Sequence, residues 1–99
     1  ELAVLPEYLF TSYPGRISIS DFANLAAFDV DGPEYDAIAA MAQQLGLFIA
    51  GNAYERDVHF PGIYFQASFV IDPAGNTVLR YRRLNSMFAP TPHDVWSKY

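Results

Sequence analysis

Two charged side chains, Glu7 and Arg83, stand where a carboxylate and a cation could do chemistry. Glu7 follows Pro6 and the short apolar run 2–5, which has the composition of a buried strand. Carboxylates at the C-terminal ends of strands in α/β sheets are where sites tend to be built. Apolar neighbours such as Tyr8 would partly remove this carboxyl group from water, which suits it to proton transfer. The alternative is a solvated acid at a turn.

Arg83 is distinguished by the alternation of side chains along a predicted strand. Leu79, Tyr81 and Arg83 share one face, while Arg80 and Arg82 lie on the other. If Leu79 and Tyr81 pack inward, Arg83 points toward the core, where an unpaired cation is costly. It would then need a carboxylate partner or a reacting oxyanion. The alternative is that the strand ends one residue earlier and Arg83 is a surface charge.

Local signals in the sequence predict three helices. Residues 31–34 predict a helix start, with Pro33 at the first helical position, and Gly46 predicts its end. The apolar stripe of this helix consists of Ile38, Met41, Ala42 and Leu45. A short helix capped by Ser20-Asp21 precedes it, and another is predicted to begin at 91–94.

Strand signals predict a hairpin in the second half of the chain. Residues 63–71 alternate between apolar and more polar positions, 72–76 form a turn, and 77–83 return as a second strand. Residues 47–50 read as a further buried strand directly after the helix. A helix joined to a strand by a tight glycine link is typical of α/β layers.

Composition restricts the class of protein. The chain has 99 residues, of which 52% are hydrophobic and only 17% are charged, so we expect more chain or a partner subunit to cover part of its surface. Its net charge of −5 argues against binding to nucleic acid or an anionic membrane, and makes the basic run 80–83 weak evidence for phosphate binding. The chain has no cysteine and therefore no disulfide bonds, which fits a cytoplasmic protein. We find no motif for a metal or a cofactor.

The ordered motifs of the chain resemble those of the nitrilase superfamily, the carbon–nitrogen hydrolases. Leu5-Pro6-Glu7-Tyr8 resembles the family's Pro-Glu motif, and 51–56 resembles its Gly…Glu-Arg segment. Residues 62–68 and 70–75 resemble the family hairpin, and Tyr81-Arg82-Arg83 resembles its Tyr-Arg-Lys triplet. The chain departs from the family in having Arg83 at the catalytic Lys position and Gln66 at the usual Asn position.

The resemblance implies an α/β fold, as part of a four-layer α-β-β-α sandwich, and a place for residues 1–99 as the N-terminal portion of one such domain, truncated at both ends. It also implies hydrolysis of a non-peptide C–N bond (amide, carbamoyl or nitrile) in a small-molecule substrate through a cysteine thioester. Glu7 would be the general base and Arg83 would stabilise the oxyanion. The family Cys lies beyond Tyr99, so this fragment alone would be inactive. No cofactor is implied, and a homo-oligomer is expected.

Two other interpretations stay open. Arg differs from Lys in shape and does not release a proton at neutral pH, so Arg83 could mark a non-catalytic relative that serves as a binding or scaffold protein. A small α/β interaction domain could also carry these motifs by chance. The first hypothesis predicts that Glu7 and Arg83 converge on one site from two neighbouring strands.

Overall fold

The computed structural model describes residues 1–10 and 18–83, which form a mixed sheet with two helices. The strands are β1 (Leu2–Val4), β2 (Phe28–Asp29), β3 (Phe48–Arg56), β4 (Phe65–Ile71) and β5 (Thr77–Arg82), and the helices are α1 (Ile19–Leu25) and α2 (Pro33–Leu45). The strand order is β1-β3-β4-β5, and β2 also pairs with β3. β1 and β2 run parallel to β3, whereas β3, β4 and β5 are antiparallel.

The predicted hairpin is formed by β4 and β5. Alternate residues of β4 are buried, from Phe65 to Ile71, as the period-two pattern predicts. The Asp72 carboxylate closes the turn by accepting hydrogen bonds from the backbone N–H groups of Ala74 (3.0 Å) and Asn76 (2.9 Å). Gly75 has a φ of 86°, a conformation that favours glycine.

Helix α2 has the predicted ends but a different buried stripe. It begins at Pro33 and is ended by Gly46, whose φ of 65° places it in the left-handed region. Its buried residues are Tyr35, Ile38 and Ala42. The predicted stripe is therefore wrong at two positions, because Met41 and Leu45 are more than half exposed. Tyr35, one turn before Ile38, supplies the apolar contact instead.

Two smaller predictions need correction at the start of the chain. Residues 2–4 form a strand, but Leu2 and Val4 are exposed, so β1 is not buried on both faces within the described residues. Helix α1 is capped by Ser18 and not by Ser20, since the Ser18 hydroxyl accepts a hydrogen bond from the Asp21 N–H at 3.1 Å. The helix predicted from residue 91 lies outside the described residues.

The two faces of the sheet differ. One, the helix face, packs against α2 through a core of Tyr35, Ile38, Ala42, Ile49, Ala53, Phe69 and Ile71. The opposite face, the open face, presents exposed apolar residues on β1, β3 and β5, namely Leu2, Val4, Phe48, Leu79 and Tyr81.

The exposure of the open face corrects one prediction about β5. Leu79 and Tyr81 are 49% and 55% exposed, so they do not pack inward among the described residues.

Within residues 1–10 and 18–83, no helix has the length and apolar character needed to cross a bilayer.

Candidate active site

Glu7, Gln66 and Arg83 meet at one end of the open face. The Gln66 side-chain amide donates a hydrogen bond to Oε1 of Glu7, and its carbonyl oxygen accepts one from Nη1 of Arg83. Nη2 of Arg83 lies 3.4 Å from the same Glu7 oxygen. The two residues predicted as site residues are therefore in contact, and a third residue bridges them.

Strand pairing explains the position of Arg83. Its backbone N–H donates to the carbonyl oxygen of Gln66 at 2.8 Å, which extends the pairing of β4 and β5 by one residue. Because Arg82 faces α2, the next side chain emerges on the open face. Gln66 lies on that face of β4, opposite Tyr54 of β3.

Glu7 reaches the site by a route that the sequence did not predict. β1 is separated from β5 by β3 and β4, so the expectation of two neighbouring strands is wrong. The chain leaves β1 after Leu5, whose N–H donates to the carbonyl of Ala50 at 2.8 Å, and the segment that follows brings Glu7 to Gln66 of β4. A loop and not a strand end therefore positions the carboxylate.

Tyr8 fixes this loop. Its φ of 65° lies in the left-handed region, which costs a non-glycine residue on the order of 1 kcal/mol. Its ring stacks on Tyr54, with centroids 6.1 Å apart and an angle of 27° between the planes. Tyr54 in turn packs edge-on against Phe22 of α1 at 4.8 Å. Burial raises the pKa of the Tyr54 phenol above its ordinary value of 10.0.

The site is open to water in this part of the protein. The side chains of Glu7 and Arg83 are 39% and 48% exposed, so the predicted desolvation of Glu7 is not present among the described residues. A small cleft beside them is lined by Tyr8, Asn52, Tyr54 and Gln66. Asn52 accepts a hydrogen bond from the Ser68 hydroxyl at 3.1 Å, which adds polar groups to this face.

A second charged cluster lies on the helix face, behind the site. Glu55 is fully buried and accepts a hydrogen bond from the Tyr35 hydroxyl at 2.5 Å. Nε of Arg80 and Nε of Arg82 each lie 3.2 Å from one of its two oxygens. Arg82 also contacts Asp57 at 2.9 Å. The sequence predicted no partner for either arginine and offered the run 80–83 as weak evidence for phosphate binding, whereas in the structure both contact this carboxylate.

The alternation of charged residues along β5, together with a charged residue on the buried face of β3, could have revealed this cluster. Arg80 and Arg82 share a face of β5, and Glu55 falls on the same face as the buried Ala53 of β3. A buried acid with arginines two residues apart on a nearby strand indicates an ion-pair network. The pattern of β4 gives no comparable signal for Gln66, because a polar residue on a solvent-facing position of a strand is common, and only the family resemblance singled it out. Within residues 1–10 and 18–83, no three His, Cys, Asp or Glu side chains are grouped to hold a metal ion.

Comparison with known proteins gives the family. The family model of carbon–nitrogen hydrolases matches residues 1–99, the whole chain. The chain belongs to the carbon–nitrogen hydrolase family. No curated protein matches it in a sequence search.

Solved structures of carbon–nitrogen hydrolases share this fold. An N-terminal amidase is similar with a TM-score of 0.71 and 16% identity, over 88% of this chain and 20% of the amidase. The same amidase with an Asn-Glu peptide has a TM-score of 0.71 and 16% identity, over 89% of this chain and 20% of the amidase. A carbon–nitrogen hydrolase from Helicobacter pylori G27 has a TM-score of 0.55 and 17% identity, over 85% of this chain and 27% of that hydrolase. The chain thus spans about a fifth of the length of the amidase, and its α/β architecture is that of the nitrilase fold.

Proposed function

We propose that the complete protein hydrolyses a non-peptide C–N bond in an amide, carbamoyl or nitrile substrate. In this proposal residues 1–99 are the N-terminal portion of one hydrolase domain and supply its general base. The observation that carries the proposal is the convergence of Glu7 and Arg83 on Gln66, although they come from opposite edges of the sheet. A carboxylate and a cation held together in this way are the groups that acyl transfer needs.

The reaction for an amide would run through a covalent acyl-enzyme. Glu7 takes the proton of a cysteine thiol supplied by the rest of the domain, and the thiolate attacks the carbonyl carbon. The protonated Glu7 then gives its proton to the departing amine. Water, deprotonated by Glu7, cleaves the thioester to the acid and the free thiol. Both described contacts of Glu7 are on Oε1, so in this scheme Oε2 carries the proton.

Arg83 would contribute charge and not protons. Its guanidinium stays protonated at neutral pH and would help to stabilise the negative oxygen of the tetrahedral intermediate. We expect Arg83→Met to lower kcat by about a hundredfold or more, the usual cost of losing one such donor. Arg83→Lys should retain part of the activity, because it keeps the positive charge with a different geometry.

The substrate class can be narrowed by analogy. The similar amidase has been seen with Asn-Glu and Gln-Val peptides, which carry side-chain carboxamides. A carboxamide of this kind contains a non-peptide C–N bond, so such dipeptides belong in a substrate panel with simple amides, carbamoyl compounds and nitriles.

We further propose that the complete protein is a homo-oligomer, in line with its low charged fraction.

The proposal is tested by measuring the amine or ammonia that the complete protein releases from this panel. Glu7→Gln should lower kcat by about 10²–10⁴-fold, the range for losing a general acid–base group. Asp36→Asn is the matched control, because Asp36 is an exposed acid on the first turn of α2 and should leave kcat unchanged. Full activity in Glu7→Gln would contradict the assignment.

A non-catalytic binding or scaffold protein is the second candidate. It is favoured by one observation, the ion pair in which the Arg83 guanidinium lies against the carboxylate that should act as base. This candidate predicts that the complete protein binds amides without turning them over. Calorimetry that detects binding of an amide, with no product released and the same affinity in Arg83→Lys, would support the binding protein over the hydrolase.

A further inference from the structure

β5 carries arginines on both of its faces at the end where the site lies. Arg80 and Arg82 point to the helix face, and Arg83 points to the open face. Arg82 is opposite Ala67 of β4 in the register, yet its guanidinium reaches Glu55 of β3, one strand further on. Its side chain therefore spans β4. The end of β5 is thus tied to the middle of the sheet.

Glu55 is a strong anchor because it has no access to water. Its exposed fraction is 0%, and both oxygens are engaged, one by Arg82 and the other by Arg80 and Tyr35. Removing one partner of a buried ion pair leaves an uncompensated charge, so such a network resists rearrangement. Aromatic contacts add to it, since the guanidinium of Arg82 lies 4.1 Å from the centre of the Phe65 ring.

We propose that Glu55 is a positioning residue for the reaction, which acts by fixing β5 so that Arg83 emerges beside Glu7 and Gln66. The proposal rests on the proposed function of Arg83. Successive residues of a strand point in opposite directions, so an anchor on Arg82 sets the direction of the next side chain. Glu55 itself lies on the face away from the site and touches no reacting group.

The variant Glu55→Gln tests this in the complete protein. A neutral amide has nearly the same shape but cannot balance two guanidinium groups, so the end of β5 should shift. Misplacement of a catalytic group by about 1 Å can cost up to a hundredfold in rate. We expect kcat to fall by about tenfold to a hundredfold, with KM changed by less than about twofold because uniform binding is untouched.

A double-mutant cycle separates positioning from general destabilisation. In the background Arg83→Met, the substitution Glu55→Gln should lower kcat little further, because the group that it positions is gone. Equal losses of kcat in both backgrounds would overturn the proposal. Asp29→Asn is the matched control: it breaks the exposed ion pair of Arg56 with Asp29 of β2, a strand that β3 and β4 separate from β5, and should leave kcat unchanged.

Crystal structures of the complete protein give a readout that does not depend on activity. In Glu55→Gln, the contact of Arg83 Nη2 with Glu7 Oε1, 3.4 Å in the native chain, should be lost. An unmoved Arg83 would overturn the proposal. If the native protein releases no product, the proposed function fails, and this structural comparison still decides the role of Glu55.

Arg82→Gln serves if Glu55→Gln does not fold. It removes the guanidinium through which Glu55 holds the end of β5 and leaves the buried Glu55 paired with Arg80 and Tyr35, so it disturbs the core less. We expect the same loss of the Arg83–Glu7 contact, and a fall in kcat that disappears in the Arg83→Met background. An unmoved Arg83 together with native kcat in Arg82→Gln would contradict the proposal.

Discussion

Gln66 joins two charged groups through the two ends of one amide. Its N–H donates to Glu7 and its oxygen accepts from Arg83, so a single side chain of β4 holds the acid and the cation at a fixed separation. An amide suits this place because it is both donor and acceptor and carries no charge of its own. Neither a carboxylate nor an ammonium group could make both contacts.

Replacing Gln66 by leucine should therefore impair the site without harming the sheet. Gln66→Leu keeps the volume but loses both hydrogen bonds, and we expect kcat of the complete protein to fall by about tenfold to a hundredfold. Ser68→Ala is the control, since Ser68 lies two residues further along the same face and bonds only to Asn52 among the described residues. Equal activity in both variants would show that the bridge is dispensable.

Two surface carboxylates make the stability sensitive to acid. The hydrogen bond from Arg56 lowers the pKa of Asp29, and the backbone N–H of His59, followed by Arg82, lowers the pKa of Asp57. A lowered pKa in the folded state means that the stabilisation is present above the ordinary value of 3.8 and is lost as the pH falls through the folded values.

The resulting prediction concerns the melting temperature at low pH. As the pH falls below about 4, the Tm of a double variant, Asp29→Asn with Asp57→Asn, should fall by less than the Tm of the native protein. Arg56→Gln should reproduce the part that belongs to Asp29, because it removes the cause of that pKa shift. Parallel Tm curves for all of these proteins would contradict the prediction.

At the scale of elements, β3 is the strand on which most of the fold depends. It pairs with β1, β2 and β4 and presents Glu55 to one face and Tyr54 to the other. It has a glycine, Gly51, where the ring of Phe69 lies closest: an added Cβ would come within 2.9 Å of that ring. Phe69 is 1% exposed, so a shift of its ring must displace other core side chains.

Gly51→Ala should consequently be destabilising by about 1–3 kcal/mol, the usual cost of overpacking a core. Chemical denaturation of the complete protein measures it. Gly46→Ala is an informative comparison, because no described residue lies within 4 Å of an added Cβ and its left-handed φ of 65° opposes the change, at a cost of about 1 kcal/mol. A gain in stability from Gly51→Ala would mean that the core relaxes around the methyl group.

The sequence predicted the elements better than it predicted their surroundings. The hairpin and the ends of α2 were predicted correctly because period-two alternation, Pro33 and Gly46 are local signals. The burial of Leu79 was wrong because it depends on what covers the open face, and no local pattern reports that. The path of Glu7 was missed for a similar reason: strand order is set by distant pairing, and the left-handed Tyr8 has no sequence signature.

At the scale of the molecule, the open face leaves apolar side chains uncovered among residues 1–10 and 18–83. Its exposed apolar residues lie on β1, β3 and β5, namely Leu2, Val4, Phe48, Leu79 and Tyr81. An exposed apolar patch of this kind marks a surface that another segment or subunit covers, and otherwise it promotes aggregation. The α-β-β-α sandwich of the family would place a second sheet there.

We therefore expect residues 1–99, expressed alone, to bind a hydrophobic dye and to aggregate, and the complete protein to do neither. Leu79→Lys with Tyr81→Lys should reduce dye binding by the isolated chain. Val58→Lys is the control, because Val58 is 88% exposed but lies outside the sheet, beyond the end of β3. Equal dye binding by the isolated chain and the complete protein would contradict the expectation.

The separation of Glu7 from Gln66 by 59 positions has a kinetic consequence. The hairpins of β3, β4 and β5 close short loops and can form early, whereas the contact of Glu7 waits for the chain start to dock. Refolding followed by circular dichroism should thus recover strand signal before any probe of Glu7 reports its native environment. A newly made chain would pass through a stage with its sheet assembled and its acid still in solvent.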